Sequence, residues 1–393
     1  MMRLAVVASH PIQYQAPLFR LLATKLDLIV YFAHQTTPQQ QADAGFGVPF
    51  NWDVDVVSGF NGQFLENVSR NPGTGHFLGC DTPAIGGRLR EFCPDTVLVL
   101  GWNLKAFWQA VYAAKRIGVP VMVRGDSQLD TPRSWMKQTL KSLLYPAILR
   151  IFDAALYVGL RNKSYLEHYN YPRERLFFSP HCVDSERFAR EATPEAGAAL
   201  RAKLGMNRET PAALFAGKLQ PFKRPLDVVG AVARMRTQGS PLELIVAGDG
   251  EMRTQLVASA KDAGVPLHFL GFRNQSEMPA VYAAANCLAL PSDGRETWGL
   301  VVNEAIACGL PVVVSAACGC AADVVTNGVG RSFPLGDIQA LSRSIDDILI
   351  HPPSAELMHT FSQKYGLQAA ADGIIAAVGA LQAERAGHSS CAF

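Results

Sequence analysis

Short apolar runs separated by helical stretches, laid out twice along the chain, constrain this sequence more than any other feature. Leu4–Ala8, Leu28–Phe32, Thr96–Leu100, Val119–Arg124 and Ala154–Val158 read as buried strands of a first unit, with helices at Pro17–Ala23 and Lys105–Ile117. Ala212–Ala216, Leu242–Ala247, Leu267–Leu270, Cys287–Leu290 and Val312–Ser315 repeat the pattern, alternating with helices at Leu226–Thr237, Met252–Ala263, Glu277–Ala284 and Leu300–Cys308. Alternation of this kind predicts parallel sheets covered by helices, an α/β architecture. Ligands in such folds bind beyond the C-terminal ends of the strands. Gln35–Gly87 is rich in Gly, Pro, Asn and Gln and predicts irregular structure, and Pro180–Leu204 reads as the connection between units. Ala355–Ala386 reads as one helix.

A chain of 393 residues has room for two domains. With 49% hydrophobic and 18% charged residues it has a packed core, and a net charge of +2 gives no electrostatic case for nucleic acid as a partner. Eight cysteines are scattered, and the pair Cys318 and Cys320 has no second cluster to complete a metal site. Reduced thiols and a cytoplasmic protein are the expectation. No signal leader is visible at the start, and no uninterrupted run nears the roughly 20 apolar residues of a membrane span.

Three segments of the second unit carry chemistry. In Phe215–Arg224 a strand ends at Gly217 and a helix begins near Pro225, with Lys218 and Lys223 in the loop between. Cations beside a helix N-terminus suit a diphosphate, although a solvated basic loop has the same composition. Gly248 and Gly250 flank Asp249 after the next strand, where glycine permits close approach to a ligand or simply a turn. In Pro291–Pro311 a loop carrying Glu296 leads through Gly299 into an apolar helix carrying Glu304, ended by Gly309 and Pro311. Glu304 lies about 7.5 Å along the axis from Gly299, at 1.5 Å per residue. A phosphate at Gly299, Leu300 and Val301 would sit between the two carboxylates. That order suits a nucleotide sugar, with ribose at Glu304 and sugar at Glu296.

These segments resemble the donor domain of the family 4 retaining glycosyltransferases, in their basic loop, glycine turn and E-x7-E motif closed by Cys308-Gly309-Leu310-Pro311. The resemblance implies a GT-B fold, two Rossmann-like domains across a cleft. Residues 1–188 would form the acceptor side, 189–365 the donor side, and 366–393 a helix packing back on the first domain. It implies a metal-independent hexosyl transfer, with retention, from a UDP or GDP sugar to a hydroxyl acceptor, with no cofactor. Gly217, Lys218, Lys223, Gly248, Gly250, Gly299, Leu300, Val301 and Glu304 would bind the donor, and Glu296 would contact its sugar. Thr297 and Trp298 stand where the family usually begins with Gly, and would form the pocket wall. His10, after the first strand, and Asp126, after Val123-Arg124, are the candidate catalytic groups of the first domain; His10 with Gln13 and Tyr14 would offer polar groups to sugar or phosphate, or His10 would simply cap the following helix. Asp126 would orient or deprotonate the acceptor, or pair with Arg124; His181 reads as structural. Asp53-Val54-Asp55 has metal-binding spacing but lies in the irregular insert.

Two other functions fit the same architecture: a sugar-nucleotide epimerase, and a non-catalytic protein that keeps the donor site. Residues 133–150 interleave Arg133, Lys137 and Lys141 with Trp135, Leu140 and Leu143 at near-helical spacing. An ordinary packed helix, or a helix touching the inner membrane face, would have this pattern.

Overall fold

The computed structural model describes residues 1–390, without the side chains of residues 44, 46 and 387–390. Cys391 and the end of the expected 366–393 segment lie outside the described residues.

Two parallel sheets form the molecule. The first holds β1 (Arg3–Ala8), β2 (Asp27–Phe32), β3 (Asn61–Phe64), β4 (Thr96–Val99), β5 (Val121–Gly125), β6 (Ala154–Tyr157) and β7 (Leu176–Phe178), in the order β3-β2-β1-β4-β5-β6-β7. The second holds β8 (Ala212–Ala216), β9 (Glu243–Ala247), β10 (Leu267–Gly271), β11 (Cys287–Leu290), β12 (Val312–Ser315) and β13 (Gly330–Phe333), in the order β10-β9-β8-β11-β12-β13. Both are therefore doubly wound, with the strand order reversing beside β1 and beside β8. The central strands are apolar over most of their length, Arg3, Thr96 and Arg124 being exceptions, because helices cover both faces and side chains of either parity are buried. The reversal points open crevices at the strand C-termini. The loops after β1, β5, β8, β9 and β11 gather there.

The insert between β2 and β4 is mostly irregular. It contributes the edge strand β3, paired in parallel with β2, and short helical turns at Pro38–Gln41, Ala42–Phe46 and Phe77–Gly79. Its middle reaches the second domain: Asn274 Nδ2 donates to the Asn51 carbonyl, Ser276 donates to Asp53, and the Phe50 ring lies 4.3 Å from that of Phe272.

The C-terminal segment departs from a single helix. It breaks into Ala355–Lys364 and Leu367–Ser390. At Gly366 a Cβ would sit 2.7 Å from the Ser362 carbonyl oxygen, so the change of direction there takes glycine. By length and composition Ala355–Ala386 is apolar enough to cross a bilayer. Here Ala370, Ala371, Ile374, Ala377, Val378 and Leu381 are buried against the first sheet. The helix presses close: a Cβ on Gly373 would lie 1.8 Å from the Phe178 carbonyl oxygen of β7. Among the described residues, the seven cysteines are free thiols.

Candidate active site

The loops after β8 and β9 close against each other through backbone. Gly217 N–H donates to the Ala247 carbonyl, and Leu219 N–H to that of Asp249. Gly217 and Gly248 have φ of 144° and 145°, and a Cβ on Gly248 would stand 1.9 Å from the Gly217 carbonyl oxygen. Only glycine allows this approach. The resulting wall, with the start of the Leu300–Ala307 helix, bounds a cleft of about 360 Å³.

Gly217, Lys218, Lys223, Gly248, Glu296, Gly299, Leu300, Val301 and Glu304 all line this cleft. Gly299 has φ of 99° and stands at the N-terminus of the helix. The first-turn amides of a helix have no intrahelical acceptors, so this end of the cleft is electropositive. Lys223 forms an ion pair with Glu296, whose Oε2 also accepts from Ser292 at 3.2 Å. Burial, and then the neighbouring Lys223 charge, lower the Lys218 pKa. Two ammonium groups crowded at a helix N-terminus make a place for an anion.

Glu304 is 1% exposed at the opposite end. Tyr282 Oη donates to it at 2.5 Å and Gln275 Nε2 at 3.1 Å. Burial raises the carboxyl pKa, and these hydrogen bonds oppose the rise. Tyr14, from the loop after β1, is drawn to the same carboxylate, and burial plus that charge push its phenol well above 10.0. Arg187 fixes Gln275 by donating to its side-chain and main-chain oxygens at 3.1 and 3.2 Å. None of Tyr14, Gln275, Tyr282 and Arg187 stood out in the sequence as a support for Glu304. Tyr14, Gln13 and Trp52 of the first domain also line the cleft. Gln13 and Tyr14 follow the expectation of polar groups beside His10, whereas the contribution of Trp52 was hidden, because it depends on how the domains dock.

Four expected site residues lie elsewhere. Trp298 is 3% exposed and forms no wall for a sugar. Its indole N–H donates to Asn303 at 2.8 Å, and its ring packs between Tyr365 and His181. Thr297 lines no described cavity; its hydroxyl donates to Asp126 at 2.7 Å, across the domains. Gly250 stands behind the cleft wall, where a Cβ would lie 2.7 Å from the Leu219 carbonyl oxygen. His10 lines neither this cleft nor the Asp126 pocket. Its Nδ1 is 3.0 Å from the Ser9 hydroxyl, and burial followed by the His34 charge lowers its pKa to about 4.

Asp126 opens on a second pocket of about 370 Å³ in the first domain. It does not depend on Arg124, which donates to the Ser179 and Pro180 carbonyls at 3.2 and 2.6 Å. Burial opposes ionisation of Asp126, but His181 and the Thr297 hydroxyl outweigh it and hold the pKa at about 2. His181 Nε2 is 3.5 Å from Asp126. The structure thus moves His181 from a linker position into the pocket wall. Gln128, also from the first domain, donates to the carbonyls of Gly294 and Glu296 at 2.9 and 3.0 Å, tying the Glu296 loop to this side.

Two doubly wound domains facing each other, with an anion-receptive cleft between, define a GT-B protein. Residues 198–365 match the family described as "Glycosyl transferases group 1". Over 204 residues it is 29% identical to a GDP-mannose-dependent alpha-(1-6)-phosphatidylinositol monomannoside mannosyltransferase of Mycolicibacterium smegmatis, covering 50% of this chain and 53% of that one. Over 151 residues it is 37% identical to a D-inositol 3-phosphate glycosyltransferase of Salinispora arenicola, covering 34% and 33%. The chain spans about half, or less, of the length of the curated relatives it matches. Among solved structures, Anabaena HepE in complex with UDP and glucose aligns with a TM-score of 0.70 at 16% identity, over 96% of this chain and 100% of that one. A Rickettsia africae glycosyltransferase aligns with a TM-score of 0.71 at 15% identity, over 97% and 99%. At such identities these structures speak to the fold alone.

Proposed function

We propose that this protein transfers a hexosyl group from a UDP or GDP sugar to a hydroxyl acceptor, with retention at the anomeric carbon and without a metal. The observation that carries this is the crowding of Lys218 and Lys223 at the Gly299 helix start, between Glu296 and Glu304. Diphosphate would relieve that crowding. As the anomeric bond stretches, charge grows on the departing phosphate oxygen, where two ammonium groups and helix amides stabilise it. A divalent ion does the same task in other enzymes. The two aspartates with metal-binding spacing are otherwise engaged, Asp53 with Ser276 and Asp55 with the Val57 and Ser58 amides. Glu296 is held by Lys223, which disfavours a role as covalent nucleophile. Asp126, with a pKa of about 2, is a weak base. It suits orienting the acceptor hydroxyl, whose proton passes to the departing diphosphate. The GDP-mannose-dependent relative and the UDP-bound neighbour make those two nucleotides the first to test. A second pocket beside the first favours transfer over epimerisation, which needs no acceptor.

Thermal unfolding with UDP, GDP and ADP, each with and without Mg²⁺, tests the donor half. One diphosphate at ~100 times its Kd should add about 2.7 kcal/mol without Mg²⁺. Glu304→Gln, which keeps the shape of the side chain, should lose most of that gain. Stabilisation that requires Mg²⁺ would remove the metal-independent mechanism, and an unchanged gain in Glu304→Gln would remove its ribose role.

We also propose that the protein works at the cytoplasmic face of a membrane. The Trp135–Leu149 helix leaves Trp135 75% and Leu143 73% exposed, with Met136 and Leu140 also outward. Lys141 does not face outward with them; it donates to Tyr165 Oη at 2.9 Å and lies over the Tyr145 ring. Apolar contact therefore outweighs charge here. The Trp135→Glu/Leu143→Glu double variant should no longer co-float with vesicles containing anionic lipid. Equal flotation of native and variant protein would end this part of the proposal.

A further inference from the structure

The pocket beside Asp126 has a chemistry of its own. Trp102 lines it, the indole packed so closely on the backbone that a Cβ on Gly125 would lie 3.1 Å from the ring. Around it stand hydrogen-bond acceptors. Asp126 is ionised, and the Gln15 Oε1 is buried with no hydrogen-bond partner. An unpartnered buried acceptor is costly until a donor reaches it. Among the described residues lining the pocket one is a fixed cation, Arg124, which is 7% exposed and donates through Nε and Nη2 to two main-chain carbonyls. His181 adds no charge at neutral pH, because burial, opposed by its bond to Asp126, lowers its pKa below 6.5. A phosphate dianion, which brings negative charge and no donors, would meet the Asp126 carboxylate, and the single Arg124 charge is already balanced by that carboxylate. A sugar ring brings many O–H donors and an apolar C–H face for an indole.

Resting on the transfer reading above, we propose that the acceptor is a neutral, hydroxyl-rich sugar ring seated on Trp102, and that this pocket turns away a phosphorylated one. Asp126 and Gln15 accept from its hydroxyls. Because Thr297, bonded to Asp126, is the residue after Glu296, the hydroxyl held at Asp126 is presented toward the donor sugar. The cavity of about 370 Å³ accommodates one ring with its substituents. Longer glycans would extend from it.

The test titrates matched probes into the nucleotide-loaded protein and follows them by saturation-transfer NMR. The probes are methyl α-mannopyranoside and methyl α-glucopyranoside with their 6-phosphates, and myo-inositol with its 1-phosphate. Calorimetry of UDP and GDP binding runs on the same samples. At least one neutral probe should bind, and its phosphorylated partner should bind about tenfold or more weakly. Trp102→Ala should weaken the neutral probe by a similar factor, and Trp102→Phe by less. Asp126→Asn should narrow the gap between neutral and phosphorylated partners. Unchanged nucleotide affinity certifies that each variant is folded. A phosphorylated probe binding as well as its parent overturns the proposal. So does failure of every neutral probe on nucleotide-loaded protein, or a Trp102→Ala variant that binds as the native protein does. If the sugars bind as expected but neither nucleotide does, the pocket assignment stands and the transfer reading fails.

Discussion

Lys218 is held where burial and a second ammonium both work against its charge, with Glu296 acting in its favour. Such a site trades stability for binding. Lys218→Ala should therefore leave the ligand-free protein as stable as the native one, or slightly more so, while nucleotide affinity falls. Loss of one charge-assisted hydrogen bond is worth about 1.5–3 kcal/mol, roughly a tenfold to hundredfold weaker Kd. Thermal unfolding and calorimetry on the same variant separate the two effects. A variant that is destabilised yet binds nucleotide normally would make Lys218 a structural residue. At this scale the donor motif was legible in the sequence because each residue acts through its local frame. Gly217, Gly248 and Gly299 set backbone paths, and the lysines and glutamates sit on those paths. Trp298 and Thr297 were not legible. Their neighbours Asn303, Tyr365, His181 and Asp126 arrive from distant parts of the chain, and tertiary packing rather than loop position decides where the two side chains go.

The strands were readable for a related reason. A parallel strand buried on both faces is apolar along its buried stretch, and β1, β2, β8, β9 and β12 each hold a run of that kind. β3, β7 and β13 escaped because they are edge strands with partly exposed residues, Asn61-Gly62-Gln63-Phe64, Leu176-Phe177-Phe178 and Gly330-Arg331-Ser332-Phe333. The insert ahead of β4 hid its order because its contacts are with another domain, through Asn51, Asp53 and Phe50. Elements meet most tightly where the β8 and β9 loops cross at Gly248. A side chain there collides with backbone, not with a movable side-chain tip, and its φ is positive. Gly248→Ala should cost about 1–3 kcal/mol from backbone strain, with any loop displacement adding to it. It should also abolish nucleotide-induced stabilisation, because the wall of the cleft must shift. Gly239→Ala is the control: its φ is also positive, but a Cβ there meets nothing within 4 Å, and it lies away from the cleft. Gly239→Ala should cost stability alone. If both variants keep full nucleotide stabilisation, the glycine wall does not shape the donor site.

The two domains meet at a buried carboxylate. Asp323, in the second domain, is fully buried and accepts from the Leu160 amide at 3.1 and 3.2 Å, at the start of a first-domain helix. Tyr365, at the break in the C-terminal segment, donates to it at 2.6 Å. Burial raises the Asp323 pKa, and those two donors oppose the rise. Trp298 and Asn303 sit alongside, and Asn303 donates to the His181 and Tyr365 carbonyls at 3.0 and 3.3 Å. First domain, second domain and the break in the C-terminal segment thus converge on one cluster, which includes Trp298, next in sequence to Gly299 of the donor cleft. Asp323→Ala would orphan the Leu160 amide and the Tyr365 hydroxyl, about 1–3 kcal/mol for each group left unsatisfied. For the Leu160 amide that penalty falls only on arrangements in which the domains stay docked, because opening returns it to water. The variant should therefore open: small-angle scattering should give a larger radius of gyration, with the far-UV circular dichroism of the native fold retained. The donor cleft borrows Gln13, Tyr14 and Trp52 from the first domain, so nucleotide affinity should fall along with the opening. Nucleotide at saturating concentration should restore the native radius, since binding that requires both domains pulls the docked state back. A variant that loses stability with no change in radius or nucleotide affinity would mean that Asp323 supports its own domain alone, and that docking is held by the Gln128 and Arg161 contacts to the Glu296 and Ala316 carbonyls instead.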